Sequence, residues 1–285
     1  MQTLRFTKMH GISNDYVYIS TFDQTVDHPS ALAVRLSDRR TGIGGDGIIL
    51  VCPSAVADAK MRIFNADGSE GRMCGNGIRC VGKFVYDKGL VPPEKTTVTI
   101  ETLSGVKTLA LTVENGKVQS ARVDMGAAVL NPAAIPVKHD GDRMVNAPLT
   151  VDGRVWDVTA VSMGNPHCVT FVDDVDGLEL EKLGPHFERH EAFPERVNTE
   201  FVRVIDDHTL QMRVWERGSG ETWACGTGAC ATAVAACLNG YCRKGEDITV
   251  RLRGGELTIR YTDETVIMTG PASTVFEGEV EVGEA

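Results

Sequence analysis

Apolar and polar residues alternate along much of the chain, a pattern that predicts β-strands with one buried face. The alternation is clearest at residues 98–100, 109–113, 248–252 and 257–261, each bounded by turn-forming residues. Few segments repeat with the period of a helix. We therefore predict an α+β fold with largely antiparallel sheets rather than a doubly wound parallel sheet.

Two helices are predicted, and each begins directly after a Cys-Gly-x-Gly motif. Strand-like runs at 62–64 and 212–215, each followed by a glycine-rich turn, precede the two motifs. Gly89 and Gly240 are suitable stops for the helices. The apolar residues expected to face the core are Ile78, Val81, Phe84 and Val85 in the first helix and Ala229, Ala231, Val234, Ala235 and Leu238 in the second.

The second half of the sequence repeats features of the first half at a constant offset of 151 positions. The matched pairs are Asn14 with Asn165, Arg62 with Arg213, Cys74 with Cys225, Gly75 with Gly226, Gly77 with Gly228 and Gly89 with Gly240. One offset kept over so many positions predicts two homologous domains. We place the first domain at residues 1–126, completed by a C-terminal strand at 273–285, and the second domain at 127–272.

Composition and charge narrow the range of partners. The chain has 285 residues, enough for two domains, and its formal net charge of −10 argues against a nucleic acid or an anionic membrane as the main partner. The N-terminal residues lack the apolar core of a signal peptide, and no apolar stretch is long enough to span a bilayer. These features predict a cytoplasmic protein.

The eight cysteines need a separate explanation, because structural disulfides are uncommon in the cytoplasm. None are spaced as Cys-x-x-Cys, so no metal site is predicted. Six are expected to be buried, inert thiols. Cys74 and Cys225 differ because each precedes a helix start, where unpaired N–H groups and the helix dipole favour negative charge. In such a place a thiol pKa is expected to fall to roughly 3.5–7.5, which makes a thiolate available.

Two thiols at matched positions suggest acid–base chemistry. Pseudo-twofold symmetry is expected to bring the two helix starts face to face, so that a carbon between them loses a proton to one thiol and regains one from the other. The reaction inverts a stereocentre without a cofactor, and it requires one thiolate and one thiol at a time. Two simpler interpretations stay open: both cysteines are packing residues, or they form a disulfide.

Six sequence blocks resemble the signature blocks of the diaminopimelate epimerase family, and the resemblance runs from Lys8 to about Pro271. They are residues 9–15 (MHGISND), 65–70 (NADGSE), 74–80 (CGNGIRC), 163–167 (MGNPH), 216–218 (ERG) and 224–228 (ACGTG). The resemblance implies two similar domains, each a β-barrel-like sheet around a central helix, with the active site in the cleft between them. It also implies a homodimer that interconverts LL- and meso-2,6-diaminopimelate, on the route to lysine and peptidoglycan.

The resemblance also implies roles for individual residues. Cys74 acts as proton donor and Cys225 as proton acceptor in one direction, and His167 and Glu216 assist the thiols. The residues implied to bind the reacting carboxylate are Gly75, Asn76, Gly226 and Thr227, and those around the rest of the substrate are Asn14, Gly47, Asn65, Asn165, Asn198, Glu216 and Arg217. Amides and one arginine suit a substrate with two carboxylates and two ammonium groups. The simpler alternatives are turn or cap roles for the asparagines, a structural hydrogen bond for His167, and a surface ion pair for Glu216 and Arg217.

One position departs from the family pattern. Many members carry glutamine where this chain has Gly47, at the end of a glycine-rich segment, 42–47, that we interpret as a loop. Without a side chain there, a substrate contact is lost or is made by the backbone or by water. The competing functions are a proline or hydroxyproline racemase and a non-catalytic thiol module that binds metal or senses oxidants. A phenazine-pathway-type isomerase is excluded by the paired cysteines, which that class lacks.

Overall fold

The chain folds into two compact units, seen in a computed structural model that describes residues 2–283. The first unit runs up to Val123 and resumes at Thr269, and the second unit is Asp124–Met268. The domain boundaries predicted from the internal repeat, after residues 126 and 272, stay predictions.

The first unit contains, in chain order, β1 (Gln2–Gly11), β2 (Asn14–Ser20), α1 (Pro29–Ser37), β3 (Gly47–Cys52), β4 (Ala59–Asn65), β5 (Glu70–Gly71), α2 (Gly75–Asp87), β6 (Thr97–Thr102), β7 (Gly105–Glu114) and β8 (Lys117–Asp124). The second unit contains β9 (Ala147–Val151), β10 (Arg154–Ser162), β11 (Pro166–Phe171), α3 (Leu180–Glu188), β12 (Asn198–Asp206), β13 (Thr209–Glu216), β14 (Gly220–Thr222), α4 (Gly226–Leu238), β15 (Asp247–Leu252) and β16 (Gly255–Tyr261). The last strands are β17 (Val266–Pro271), within which the chain returns to the first unit, and β18 (Ser273–Val282).

Strand pairing in the two units follows one pattern. In the first unit, β1/β2, β3/β4 and β6/β7 are antiparallel, whereas β2/β3 and β4/β6 are parallel. In the second unit, β10/β11, β12/β13 and β15/β16 are antiparallel, whereas β11/β12 and β13/β15 are parallel. The predicted α+β class with largely antiparallel sheets is confirmed, and so are the four strands expected from alternation, which lie in β6, β7, β15 and β16.

The strands of each unit surround one helix. In the first unit α2 contacts β1, β2, β3, β4, β6 and β7, and in the second unit α4 contacts β10, β11, β12, β13, β15 and β16. The two helices end where predicted, because Gly89 and Gly240 adopt φ angles of 68° and 77°, which favour glycine. The helix starts, which carry the two cysteines, are therefore held by the surrounding strands.

A second helix packs against the sheet of each unit. In the first unit α1 contacts β2, β3 and β4 and buries Leu32, Ala33 and Leu36. In the second unit α3 buries Phe187 against Trp156 and Phe201, with ring centroids 5.3–6.1 Å apart in edge-to-face geometry. Helices α3 and α4 begin and end 151 positions after α1 and α2, so the offset seen in the sequence also holds for the helix boundaries.

Within residues 2–283, none of the helices has the length and apolar character that crossing a bilayer requires.

Candidate active site

Cys74 is the N-cap of α2. Its backbone is extended (φ −133°, ψ 121°), and its sulfur accepts a hydrogen bond from the Gly77 N–H at 3.3 Å. The Cys74 thiol also donates to Asn14 Oδ1 at 3.3 Å. Serine, threonine and aspartate are the usual N-caps, so a half-buried cysteine in this place marks the position as unusual.

Charged groups fix the orientation of Asn14. Its Nδ2 donates to Asp46 Oδ2 at 2.6 Å, which directs Oδ1 to Cys74. Asp46 is in turn held by Arg39, whose guanidinium also binds both oxygens of Asp15. The Asn14 oxygen therefore faces the thiol because the Asp46 carboxylate holds the amide nitrogen on the other side.

Asn76 and Gly75, in the first turn of α2, are buried around a buried arginine. Arg79 has 0% exposure and donates to Gly75 O at 3.0 Å, to Asn76 Oδ1 at 3.0 Å and to Pro271 O at 3.2 Å. A Cβ atom at Gly11 would lie 2.9 Å from Asn76 O and 3.0 Å from Arg79 Nη2. Glycine at position 11 thus makes room for the arginine that holds the helix start.

Gly47 and Asn65 are direct partners in the β3/β4 ladder. A Cβ atom at Gly47 would lie 2.1 Å from Phe64 O and 2.9 Å from Tyr16 Cε1. This backbone therefore has no room for the glutamine of the family pattern, and Gly47 offers a ligand only main-chain groups. The Asn65 side chain donates to Ser69 Oγ at 3.0 Å and is half-buried.

Gly47→Ala is expected to destabilise the protein by about 1–3 kcal/mol, because the new methyl group overlaps a backbone carbonyl that cannot rotate away. Urea unfolding followed by far-UV circular dichroism measures the change. Gly71→Ala is the matched control, since its Cβ would lie 3.2 Å from the Ile63 Cγ2 methyl group, which can adjust. Equal stability of Gly47→Ala and wild type would contradict this account of the position.

Cys225 is the N-cap of α4, as Cys74 is of α2. Its sulfur accepts from the Gly228 N–H at 3.3 Å and lies 3.6 Å from Thr227 Oγ1. The Glu216 carboxylate is within hydrogen-bond reach of the same thiol and also accepts from Thr222 Oγ1. Cys225 is thus a buried thiol with a carboxylate as its neighbour.

His167 and Asn165 lie beside the start of α4. The His167 ring is fully buried, with Nδ1 2.7 Å from Glu200 Oε1 and Nε2 3.0 Å from Asn165 Oδ1. The Asn165 amide nitrogen reaches Thr227 Oγ1 at 3.3 Å. Hydrogen bonds therefore connect His167 to the helix turn that carries Cys225.

The Asn198 side chain is hydrogen-bonded to the backbone of Arg217. The Asn198 side chain is buried and accepts from the Arg217 N–H at 2.9 Å, and the Arg217 guanidinium donates to Glu195 O at 2.9 Å. Asn198 is also the ladder partner of His167 across β11/β12. The second unit thus brings together Asn165, His167, Asn198, Glu216, Arg217, Cys225, Gly226 and Thr227, and the first unit brings together Asn14, Gly47, Asn65, Cys74, Gly75 and Asn76.

The expected lowering of the thiol pKa is wrong for Cys225. Burial, followed by the negative charges of Glu216 and Glu200, raises the pKa of Cys225 well above its ordinary value. Hydrogen bonds with the Thr227 hydroxyl and the Gly228 N–H at the helix start oppose this rise but do not outweigh it. Burial also raises the pKa of Glu216, against the hydrogen bonds from Thr222 and Cys225 that lower it. Cys225 therefore rests as a protonated thiol at neutral pH.

This shift predicts a loss of stability in alkali. The unfolded chain loses the Cys225 proton near the ordinary pKa of 9.0, whereas the folded chain keeps it. The contribution of this thiol to the free energy of unfolding is therefore complete below about pH 9 and is lost as the pH rises further. Cys225→Ser replaces the thiol with a hydroxyl that does not ionise in this range, and it is expected to flatten the decline above about pH 9 by about 1.4 kcal/mol per pH unit. The free energy of unfolding in urea, measured between about pH 8 and pH 10, tests this. Parallel curves for the two proteins would contradict the raised pKa.

Sequence reasoning missed three residues that contact the predicted ones, Asp46, Glu200 and Thr222, and also Arg39, which holds Asp46. Glu200 had a visible signal, because it is a charged residue within the otherwise uncharged, largely apolar run 197–202. Asp46 was included in a loop interpreted only through its glycines. Arg39 and Thr222 carry no signal in the sequence.

Over residues 2–283, no group of three or more His, Cys, Asp or Glu side chains is placed to hold a metal ion. All eight cysteines are free thiols.

Comparison with solved structures supports the fold alone, because the identities are low. A phenazine biosynthesis protein of the PhzF family from Bacillus anthracis matches with a TM-score of 0.71 and 17% identity, covering 99% of this chain and 100% of that chain. A hydroxyproline epimerase from Agrobacterium vitis matches with a TM-score of 0.69 and 14% identity, covering 98% of this chain and 91% of that chain.

Comparison with the sequences of named relatives is far more specific. The diaminopimelate epimerase family model matches residues 6–131 and 159–275. A diaminopimelate epimerase from Acetivibrio thermocellus is 54% identical, covering 99% of this chain and 100% of the relative. A diaminopimelate epimerase from Methanococcus maripaludis is 52% identical, covering 98% of this chain and 100% of the relative. One from Desulfovibrio desulfuricans is 55% identical, covering 97% of this chain and 98% of the relative. With two cysteine-capped helices and near-complete matches at this identity, the chain belongs to the diaminopimelate epimerase family, a family of isomerases.

Proposed function

We propose that this enzyme interconverts LL- and meso-2,6-diaminopimelate without a cofactor, using Cys74 and Cys225 as the two acid–base groups. One thiolate removes the α-proton, and the other thiol delivers a proton to the opposite side of the carbon. The observation that carries this proposal is that each unit has a cysteine as helix N-cap, and that each thiol contacts a group able to accept its proton or a hydrogen bond from it.

Cys225 acts as the base once Glu216 has taken its proton. The Glu216 carboxylate lies within hydrogen-bond reach of the thiol, and burial raises the pKa of both groups. A thiolate with a raised pKa forms less readily, but it is a stronger base toward a weakly acidic α-proton. Glu216 therefore makes the thiolate available, and burial makes it effective.

Cys74 acts as the acid in the same direction. Its thiol donates to the Asn14 oxygen, a contact that favours the protonated form. The assignment agrees with the roles implied by the family resemblance. In the reverse direction the two cysteines exchange roles, and His167 assists by accepting or returning the proton.

The remaining residues recognise the substrate. The N–H groups at the starts of α2 and α4, including Gly75, Asn76, Gly226 and Thr227, bind the carboxylate at the reacting centre and the negative charge that develops there. The asparagines offer donors and acceptors for the second amino-acid head group, and the Arg217 guanidinium binds its carboxylate. This set suits a substrate with two amino-acid ends better than proline, which has one.

Product analysis tests the proposal. The reduced enzyme is incubated with LL-diaminopimelate, and the stereoisomers are separated by chiral chromatography; L-proline and trans-4-hydroxy-L-proline serve as comparison substrates. We expect meso-diaminopimelate and no change in the two proline substrates. Epimerisation of a proline substrate alone would favour the racemase alternative, and no reaction with any substrate would favour the non-catalytic thiol module.

The biological setting extends the same proposal. Interconversion of diaminopimelate stereoisomers would serve lysine and peptidoglycan synthesis, and the expected location is the cytoplasm. A homodimer is the expected assembly, which sedimentation equilibrium of the full-length chain measures directly.

A further inference from the structure

His167 and Glu200 form a pair of fully buried side chains in the second unit. Nδ1 and Oε1 lie 2.7 Å apart, and both side chains have 0% exposure. The residues lie on adjacent parallel strands, β11 and β12, so their positions are fixed by the sheet. Burying a carboxylate is costly unless a partner meets it, so the contact determines the orientation of both side chains.

The matching positions of the first unit show that packing does not require this carboxylate. At the 151-residue offset, Ile49 corresponds to Glu200 and Tyr16 corresponds to His167. A Cβ atom at Gly77 would lie 2.7 Å from Ile49 Cδ1, and a Cβ atom at Gly228 would lie 2.7 Å from Glu200 Oε1. The same place beside a helix start is thus filled by a methyl group in one unit and by a carboxylate oxygen in the other.

We propose that Glu200 is a positioning residue for His167: its carboxylate holds a proton on Nδ1, so that Nε2 is the nitrogen that gains and loses a proton during catalysis. An ionised Glu200 carboxylate only accepts hydrogen bonds, and Nδ1–H is then the donor that meets it across the 2.7 Å contact. The inference rests on the proposed function, in which His167 assists the thiols, and it assigns the nitrogen that does so.

Asn165 satisfies both protonation states of Nε2. When Nε2 carries a proton, it donates to Asn165 Oδ1 at 3.0 Å, and the amide nitrogen contacts Thr227 Oγ1 at 3.3 Å. When Nε2 is bare, the amide turned by a half-rotation donates to Nε2, and its oxygen accepts from the Thr227 hydroxyl. The amide only donates or accepts hydrogen bonds, so the proton that Nε2 gains or loses comes from or goes to a reacting group, and Nδ1 keeps its proton throughout.

Thr227 connects the Asn165 amide to the thiol through hydrogen bonds but carries no proton between them, because an amide does not pass a proton on. The Thr227 hydroxyl oxygen lies 3.6 Å from Cys225 Sγ and in the same helix turn. The charged and titratable groups around the pair are Glu216, Cys225 and Cys168, and the negative charge of Glu200 contributes to the raised pKa of both cysteines. A variant at position 200 must therefore be compared with a variant that changes charge elsewhere in the unit.

Nitrogen NMR of the full-length chain with ¹⁵N-labelled histidine tests the assignment. The His167 signals are identified by their loss in His167→Asn. In the wild type we expect Nδ1 to stay protonated through the pH titration while Nε2 changes. In Glu200→Gln the new amide can donate to Nδ1, so the ring is expected to shift to the Nε2–H form. We expect kcat to fall about 10²-fold or more, with KM changing less than about threefold.

Glu188→Gln is the matched control. Glu188 is also buried, at 4% exposure, but it accepts from Trp215 Nε1, the Gly218 N–H and the Arg196 guanidinium rather than from His167. We expect the His167 signals and the kcat of the Glu188→Gln variant to match those of the wild type. A wild-type spectrum with a bare Nδ1, or a Glu200→Gln variant with wild-type tautomer and kcat, would overturn the inference. The spectrum needs no turnover, so a wild-type enzyme inactive on diaminopimelate would reject the proposed function separately.

Discussion

Cys74→Ala and Cys225→Ala are each expected to abolish epimerisation and to leave the protein folded. Inversion requires a proton acceptor on one side of the α-carbon and a proton donor on the other, so the loss of either thiol stops it. General acid–base groups contribute about 10²–10⁴-fold each to a rate, so turnover is expected to fall by at least that range. Conversion of LL- to meso-diaminopimelate, followed by chiral chromatography, measures the effect.

Serine variants separate catalysis from helix capping. The thiols of Cys74 and Cys225 accept from the N–H groups of Gly77 and Gly228, and alanine loses these bonds at a cost of about 0.5–2 kcal/mol. Serine keeps an acceptor at the same place but is too weakly acidic to replace the thiol. Cys74→Ser and Cys225→Ser are therefore expected to be as inactive as the alanine variants and more stable.

Two other cysteines provide matched controls on the same helices. Cys80 in α2 and Cys230 in α4 are fully buried, and burial raises the pKa of Cys80 to about 11, as expected for an inert thiol. Cys80→Ala and Cys230→Ala are expected to keep most of the wild-type turnover. Near-normal turnover in Cys74→Ala or Cys225→Ala would show that the cysteine concerned is not a base.

Arg79→Met is expected to lower the free energy of unfolding by about 3–5 kcal/mol, the largest stability effect we predict for a single substitution. The arginine is fully buried and donates to two carbonyl oxygens and to Asn76 Oδ1. Methionine fills a similar volume but leaves these buried acceptors without that donor, at a cost of about 1–3 kcal/mol for each one left unsatisfied. The start of α2, which carries Cys74, loses its support.

The measurement is urea unfolding followed by far-UV circular dichroism. Fluorescence is less suitable, because the three tryptophans, Trp156, Trp215 and Trp223, all lie in the second unit. Arg122→Met is the control, since Arg122 is exposed on β8 and its loss is expected to change stability by less than about 0.5 kcal/mol. A loss below about 1 kcal/mol in Arg79→Met would contradict the role given to this arginine.

The fold was largely predictable because its main signals are local. Strand alternation, the Cys-Gly-x-Gly motifs and the stopping glycines placed β6, β7, β15, β16, α2 and α4. The internal repeat added that both halves share one plan. Local patterns do not specify which strands pair in parallel, so the β2/β3 and β11/β12 pairings could be learned only from the structure.

The sequence predicts the members of the candidate site but not the contacts between them. The motifs identified Cys74, Asn14, Cys225 and His167, whereas Asp46 and Glu200 act on them through contacts between residues 32–33 positions apart. The pKa of Cys225 was wrongly predicted for the same reason. The helix start is visible in the sequence, but the burial and the two nearby carboxylates that outweigh it are properties of the folded chain.

The most direct test of the two-base mechanism is the fate of solvent deuterium at early times. Wild-type enzyme is incubated with LL-diaminopimelate in D₂O without added cofactor, and both stereoisomers are analysed by NMR before equilibrium. We predict deuterium at the inverted carbon of the meso product and none in the remaining LL substrate, because one thiol removes the proton and the other delivers a deuteron. Absence of exchange with reduced, folded enzyme, or equal early labelling of both stereoisomers, would contradict the account.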